Sequence, residues 1–331
     1  MKKINTDNIP SRIFLRKFFR AACAFALTLS LLPLTSPCLT AHAADVTDQP
    51  ESFNQTTSDD KDKSDSSKKK KTKERKEKYS YKKLLKYTGQ ASSSRKITGI
   101  NGYKPGKAAK KKLNAAIKSV RRGGRDVSFV VMDVKTMKGV SYNAGRRYYS
   151  ASAIKGPYVV SAVRKRPYLL KSRRSTINQI LKYSDNNAYI GFAKKYGFGS
   201  FNSWVKKSGA VYKRTKGNRC YGYFTAKNMA KIWVSNYEYF RTDKTGRKLG
   251  KMFQHPAVSA IHSSLGGKYT TRSKAGWIAA GGRFNVTNDA GIVYSKKGSY
   301  IIVIMSSVPS DMAKLRPLVR ALDYAHNDMV R

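Results

Sequence analysis

The sequence predicts an α/β fold of the α+β type: an antiparallel sheet flanked by N- and C-terminal helices, with an all-helical lobe inserted between its first and last strands. Three observations predict it. Residues 127–134 (VSFVVMDV) form a short β-branched run bounded by turn residues, with a hairpin partner at 139–143. Residues 269–279, 287–294 and 299–306 repeat that character as three successive strands near the C-terminus. Between the two sets the apolar spacing changes to the helical period, at 175–183, 188–196, 201–207, 224–240 and 257–265.

The order of elements begins with a leader. Arg12, Arg16, Lys17 and Arg20 precede an apolar core at 21–34 that is shorter than the roughly 20 residues of a membrane span. Ala41-His42-Ala43 then supplies small residues for cleavage, so residues 1–43 read as a signal peptide, with an uncleaved anchor as the alternative. Proline at 37, before Cys38, argues against lipid attachment. The expected localisation is secreted or extracellular, with cell-wall association. Residues 44–106 read as a disordered Lys-rich linker, because 45–67 offers almost nothing to bury. The basic block from Lys68 to Lys78 reads equally as a solvated spacer or as a tether to anionic wall polymer or membrane surface. The folded domain is expected at 107–331. It opens with a helix whose Leu113, Ala116, Ile117 and Val120 share one face and closes with a helix from about 310 to 324.

Composition narrows the function. The 331 residues carry 67 Lys and Arg against 19 Asp and Glu, a formal net charge of +48, which implies anionic surroundings. The export signal, and the lack of any aromatic-interleaved basic motif, set nucleic acid aside as a partner. Cys23 and Cys38 leave with the leader and Cys220 stands alone, so no disulfide framework is expected. The four histidines (His42, His255, His262 and His326) form no pattern with one another or with carboxylates. Zinc ligation and a serine–histidine triad therefore lack support, and neither metal nor cofactor is expected. A monomer is expected.

The chemistry centres on Ser152-Ala153-Ile154-Lys155, where a serine and a lysine three apart enter the apolar run at 156–163. On a helix these positions share a face, so the lysine nitrogen can approach the serine oxygen. A lysine held among apolar groups and other cations can act as the base that a serine nucleophile needs. The same spacing recurs at Ser66/Lys69, Ser67/Lys70, Ser80/Lys83, Ser93/Lys96 and Ser203/Lys206, so the tetrad alone decides nothing. Position does. Ser152 sits where a strand pair hands over to a helix, whose first N–H groups are free to meet a developing anion.

Ser152-Ala153-Ile154-Lys155, Ser184-Asp185-Asn186 and Lys274-Ala275-Gly276 together resemble the three motifs of class A β-lactamases and penicillin-binding proteins. The resemblance spans roughly 107–331 and includes the strand at 287–293 (TNDAGIV). Lys244-Thr245-Gly246 is a more literal third motif, but it lies in a polar turn, whereas Lys274 opens the final run of strands. The resemblance implies a β-lactamase/transpeptidase-like fold and a set of roles. Ser152 forms an acyl-enzyme and Lys155 takes its proton. Ser184, supported by Lys274, passes a proton to the departing nitrogen. Asn186 binds the substrate amide, the N–H groups of Ser152 and Trp277 form the oxyanion hole, and Gly276 leaves room for the substrate backbone. Asp185 is expected to be structural.

The chain departs from the pattern in three places. Class A β-lactamases free the acyl group with a glutamate-activated water, yet no Asp or Glu occurs between Asn186 and Tyr237, and the loop at 208–223 reads SGAVYKRTKGNRCYGY. Ala275 replaces a hydroxyl residue that helps hold the substrate carboxylate, leaving Ser273 or Arg283 as substitutes. The interval from Ser152 to Ser184 is short, so a trimmed helical lobe is expected. The resulting expectation is a secreted serine hydrolase acting on a cell-wall peptide amide or β-lactam, with slow β-lactam turnover. The alternative is a non-catalytic wall-polymer-binding protein that keeps the fold.

Overall fold

A computed structural model describes residues 80–216 and 219–331. The leader and the Lys68–Lys78 block lie outside the described residues. Of the expected linker, the part from Ser80 to Gly106 is folded, so structure begins ahead of the expected 107. Helix α1 (Tyr81–Thr88) is N-capped by Ser80, whose Oγ accepts from Lys83 N at 3.3 Å, and it buries Leu84 and Thr88 one turn apart. Strand β1 (Thr98–Ile100) then pairs with residues Gly139–Ser141 at the sheet edge. Lysines surround the one buried face of α1, and composition alone reads such a stretch as solvated.

Helix α2 (Lys107–Arg121) leads into β2 (Val127–Asp133), β3 (Gly139–Tyr142) and β4 (Arg147–Tyr149). A 3₁₀ turn at Ala151–Ile154 runs straight into α3 (Lys155–Lys165). The helical lobe continues through α4 (Leu169–Ser172), α5 (Arg174–Asn178), a π turn at Gln179–Tyr183, α6 (Asn186–Tyr196) and α7 (Gly199–Lys207). After β5 (Lys213–Arg214) and β6 (Gly222–Thr225) come α8 (Ala226–Thr242), α9 (Lys244–Lys251) and α10 (Ala260–Leu265). Strands β7 (Thr270–Ile278), β8 (Val286–Ser295) and β9 (Gly298–Ser306) and helix α11 (Arg316–Met329) complete the chain.

Six strands form one antiparallel sheet in the order β1-β3-β2-β9-β8-β7. Its central strands are buried on both faces, which explains their unbroken apolar runs. Val131, Ile302 and Ile304 face α2 and α11, meeting Leu113, Ile117, Leu318 and Leu322. Val130, Met132, Ile301 and Val303 face the lobe, meeting Val159, Val163, Ile232 and Trp233. β7 is the outer strand on the side of the helical lobe. A second, three-stranded sheet, β4-β6-β5, was not foreseen; its strands are two to four residues long and carry no readable period. The segment around Lys244, expected as a turn, is helix α9, N-capped by Asp243 at 2.8 Å to Gly246 N.

Residues 80–331 hold 51 Lys and Arg but only nine Asp and Glu. Each of the nine carboxylates is engaged. Asp126 receives Arg95 and Arg146, Asp133 pairs with His326, Asp323 with Tyr300, Asp328 with Tyr103, and Glu238 with Arg241. Asp185, Asp243 and Asp311 cap backbone N–H groups, and Asp289 accepts from Ser259 and Ile261 N.

Candidate active site

Three elements converge on the nucleophile's turn. Strand β4 ends at Tyr149, and Ser150 N donates to Gly222 O at 2.8 Å, tying the turn to the small sheet. The chain then reverses at Ala151, a non-glycine residue at φ 43 that opens the 3₁₀ turn carrying Ser152. Such a conformation survives only where its surroundings enforce it. Asn288 on β8 supplies much of that enforcement: its buried Nδ2 donates to Tyr149 O at 2.9 Å and Ser150 O at 3.2 Å, and its Oδ1 accepts from Ser306 N. Sequence reasoning missed Asn288, although it lies in the strand that carried the resemblance. Ser152 is half-buried, and Lys155 is the first residue of α3.

Lys155 is fully buried, at 0% exposure. Its Nζ donates to Ser184 O at 2.6 Å, Asn186 Oδ1 at 2.7 Å and Asp185 O at 3.3 Å, so the first and second motifs meet at one nitrogen. Burial pulls its pKa down to about 8, opposed by the charge of Asp185. Three donors satisfy three acceptors while the amine is charged. Losing one proton gives up one bond, the longest being that to Asp185 O, and leaves a lone pair one helical turn from Ser152.

The second motif is delivered by unusual backbone. The π turn at Gln179–Tyr183 ends in Ser184 at φ 63, ψ 25, a left-handed non-glycine residue. That reversal sends Ser184 O towards Lys155 and Ser184 Oγ towards Lys274. Asp185 N-caps α6 through Ala188 N at 2.7 Å, the structural role expected of it. Asn186 Oδ1 also accepts from Tyr221 OH at 3.1 Å, a contact that nothing in the sequence pattern announced.

The third motif lies on β7. Lys274, at 1% exposure, donates to Ser184 Oγ at 2.8 Å and to Ala275 O at 2.9 Å. Its pKa is pulled down to about 7 by burial first and by the charge of Lys155 second, with buried Asp289 opposing. Burial raises the pKa of Asp289 in turn to about 6. Gly156 makes room for the Lys274 stem, since a Cβ there would stand 2.9 Å from Lys274 Cβ. Lys244 lies on α9, away from the edge strand, so Lys274 is the lysine of the site.

Gly276 is small for a different reason from the one expected. A Cβ at 276 would stand 2.6 Å from Ser152 N and 2.5 Å from Ser150 O, and closer still to Ala153 N. The strand presses directly on the nucleophile's turn, so room for substrate is not what excludes a side chain. This contact brings the half-buried Trp277, next along the strand, beside Ser152, where the resemblance puts the two oxyanion N–H groups. Ser273 is excluded as a carboxylate holder: it is buried, and its Oγ lies 2.9 Å from Ser259 Oγ. Arg283 is exposed, beside the ring of Phe284 at 5.2 Å.

The sequence candidates are thus brought together: hydrogen bonds join Lys155, Ser184, Asn186 and Lys274, Gly276 abuts Ser152, and the Trp277 ring lies 5.9 Å from Lys274 Nζ. Cys220 lies outside this group, and burial raises its pKa. Among the described residues no group of three or more His, Cys, Asp or Glu side chains could hold a metal ion.

Residues 170–322 match the model of the β-lactamase enzyme family, a span that contains the second and third motifs and begins after Ser152. No curated protein sequence matches the chain. Among solved structures, the β-lactamase from Sphaerobacter thermophilus DSM 20745 is similar at a TM-score of 0.52 and 14% identity, over 66% of this chain and 95% of that one. An acyl-enzyme complex of a PBP-A point mutant with penicillin G gives 0.54 and 16%, over 66% and 96%. The class A β-lactamase from Clostridium kluyveri DSM 555 gives 0.54 and 14%, over 66% and 99%. The chain thus has the fold of these β-lactamases and of PBP-A, and its residues 170–322 are similar to the β-lactamase enzyme family.

Proposed function

We propose that the domain forms an acyl-enzyme on Ser152 with a cell-wall peptide amide, and with β-lactams as mimics. One observation carries this reading: two buried lysines, both with depressed pKa, are joined through a single serine, Lys155 at its carbonyl and Lys274 at its hydroxyl. Burying two cations this close is costly unless the site needs an amine that can be neutral near neutral pH.

In the proposed reaction neutral Lys155 takes the Ser152 proton as Oγ attacks the carbonyl carbon. The oxyanion is held by the N–H groups of Ser152 and Trp277. Because Lys274 donates to Ser184 Oγ, the Ser184 hydroxyl hydrogen is free to go to the departing nitrogen, and Lys274 replaces it. The C–N bond breaks, leaving an ester on Ser152 and a free amine. Among the described residues the loop at 208–223 offers no carboxylate to activate water, so release is slow or uses another acceptor.

The proposal extends to place: export by residues 1–43 and retention at an anionic wall through Lys68–Lys78. Deleting 45–79, not 45–106, tests retention while sparing α1 and β1; unchanged binding to wall polymer removes that part. For the chemistry, the protein is incubated with a fluorescent penicillin and weighed intact. A covalent adduct that disappears in Ser152→Ala is expected and should persist for many minutes. Lack of an adduct under all conditions sinks the catalytic reading, and rapid turnover refutes slow release.

A further inference from the structure

A cavity of about 470 Å³ opens against one face of the small sheet. The strand register builds its floor. Lys213 stands opposite Tyr223, and Tyr223 opposite Tyr149, so the three form one cross-strand row, with Arg147 two residues from Tyr149 on the same face. The turn carrying Arg283 and Phe284 supplies the remaining wall. The rings are packed together: Tyr149 lies 5.7 Å from Tyr223 and 5.3 Å, edge-on, from Phe284. Arg147, Lys213 and Arg283 are exposed cations from three separate elements, and among the described residues no carboxylate lines the cavity.

A basic lining alone would mean little in a chain with this composition. Its position gives it meaning. Tyr149 immediately precedes the nucleophile's turn, and its ring lies 5.9 Å from Tyr221, whose hydroxyl donates to Asn186. An aromatic path therefore runs from the residue expected to hold the substrate's amide to a group of exposed positive charges. The wall includes part of the loop that carries no deacylating carboxylate.

We propose that this cavity selects a carboxylate on the acyl side of the scissile amide, its apolar spacer lying along the Tyr149–Tyr223–Phe284 rings and its charge among Arg147, Lys213 and Arg283. The inference rests on the acyl-serine reading above and names the substrate class for it: peptides with an acidic residue on the acyl side. A carboxylate is the anion a peptide brings.

Two penicillins that differ in this group alone provide the test. Carbenicillin carries a phenyl ring and a carboxylate on its acyl side chain, whereas benzylpenicillin carries only the ring. At low salt the second-order rate of Ser152 acylation should favour carbenicillin about tenfold, since charge complementarity acts mainly on encounter and is screened by salt. The ratio should fall towards one in an Arg147→Ser/Lys213→Ser/Arg283→Ser variant and at high salt. Equal rates in the wild type, or a preference that survives the triple variant, would overturn the proposal. If neither penicillin reacts, the acyl-serine reading fails separately, and a direct measurement still judges the cavity. Phenylacetate titrated into the Ser152→Ala protein should shift NMR signals of Tyr149 and Tyr223 saturably, with neutral phenylacetamide much weaker. Absence of that difference overturns the cavity's role.

Discussion

Two cationic regions of the domain differ in almost everything else. In one, Lys155 and Lys274 are buried and bonded through Ser184, and burial lowers both pKa values. In the other, Arg147, Lys213 and Arg283 are exposed and border a cavity where the described residues place no carboxylate. Burial makes a lysine a base; exposure leaves a cation a fixed charge. Positive charge thus serves the proposed proton transfers in one region and the proposed attraction of an anion in the other.

The comparison can be broken most directly at Lys155. Lys155→Met should lower the acylation rate by about 10² to 10⁴ while keeping the apolar stem, as loss of a general base does, measured by stopped-flow with a fluorescent penicillin. A loss below tenfold would transfer the base role to Lys274. In the wild type the rate should climb from about pH 6 to pH 8, because acylation needs an amine that has lost its proton and burial brings that loss down to about 8 for Lys155. A rate flat across that range would contradict the assignment.

Gly276→Ala tests how tightly the edge strand presses on the nucleophile's turn. The new Cβ collides with backbone of the Ser152 turn, so the strand must retreat. Overpacking of this kind costs about 1–3 kcal/mol, and acylation should fall with it. Thermal unfolding that matches wild type would show that the contact is loose. Asn288→Ala should cost about 2 kcal/mol by leaving the Tyr149 and Ser150 carbonyls buried without their donor, and acylation should slow although no substrate contact is lost. Denaturant melts and adduct kinetics on one sample decide it.

Two smaller effects sharpen the electrostatics. Asp289 opposes the depression of the Lys274 pKa. Asp289→Asn should therefore lower the pH at which Lys274 loses the proton it supplies to Ser184, moving the falling side of the acylation profile towards lower pH, and a shift towards higher pH would contradict this sign. Tyr221→Phe removes one hydrogen bond to Asn186 and should weaken penicillin binding by about 1 kcal/mol or less.

The setting of the third motif was legible because it lies on a long, regular element. The strands around Lys274 are nine and ten residues long and largely buried, so their apolar character is plain. Position, more than literal spelling, distinguished Lys274 from Lys244 and Ser152 from its lookalikes. What the sequence hid was pairing at a distance. Strands β4, β5 and β6 acquire their meaning only from each other, across 72 residues between Ser150 and Gly222. Asn288 and Tyr221 act through backbone carbonyls and one side-chain oxygen, partners that no spacing rule specifies. Helix α1 hid for a compositional reason, since its buried face amounts to Leu84 and Thr88 among lysines.

The engagement of all nine carboxylates in the folded part gives the surface the character of an ion-exchange resin. None of its acidic groups is idle, so the counter-charge for 51 Lys and Arg must come largely from solution. Each small anion held near the surface is displaced when a multivalent anion arrives, and its return to bulk solvent favours binding entropically. Association with an anionic polymer or substrate should accordingly weaken along a straight line in log salt concentration, with a slope that counts the displaced ions.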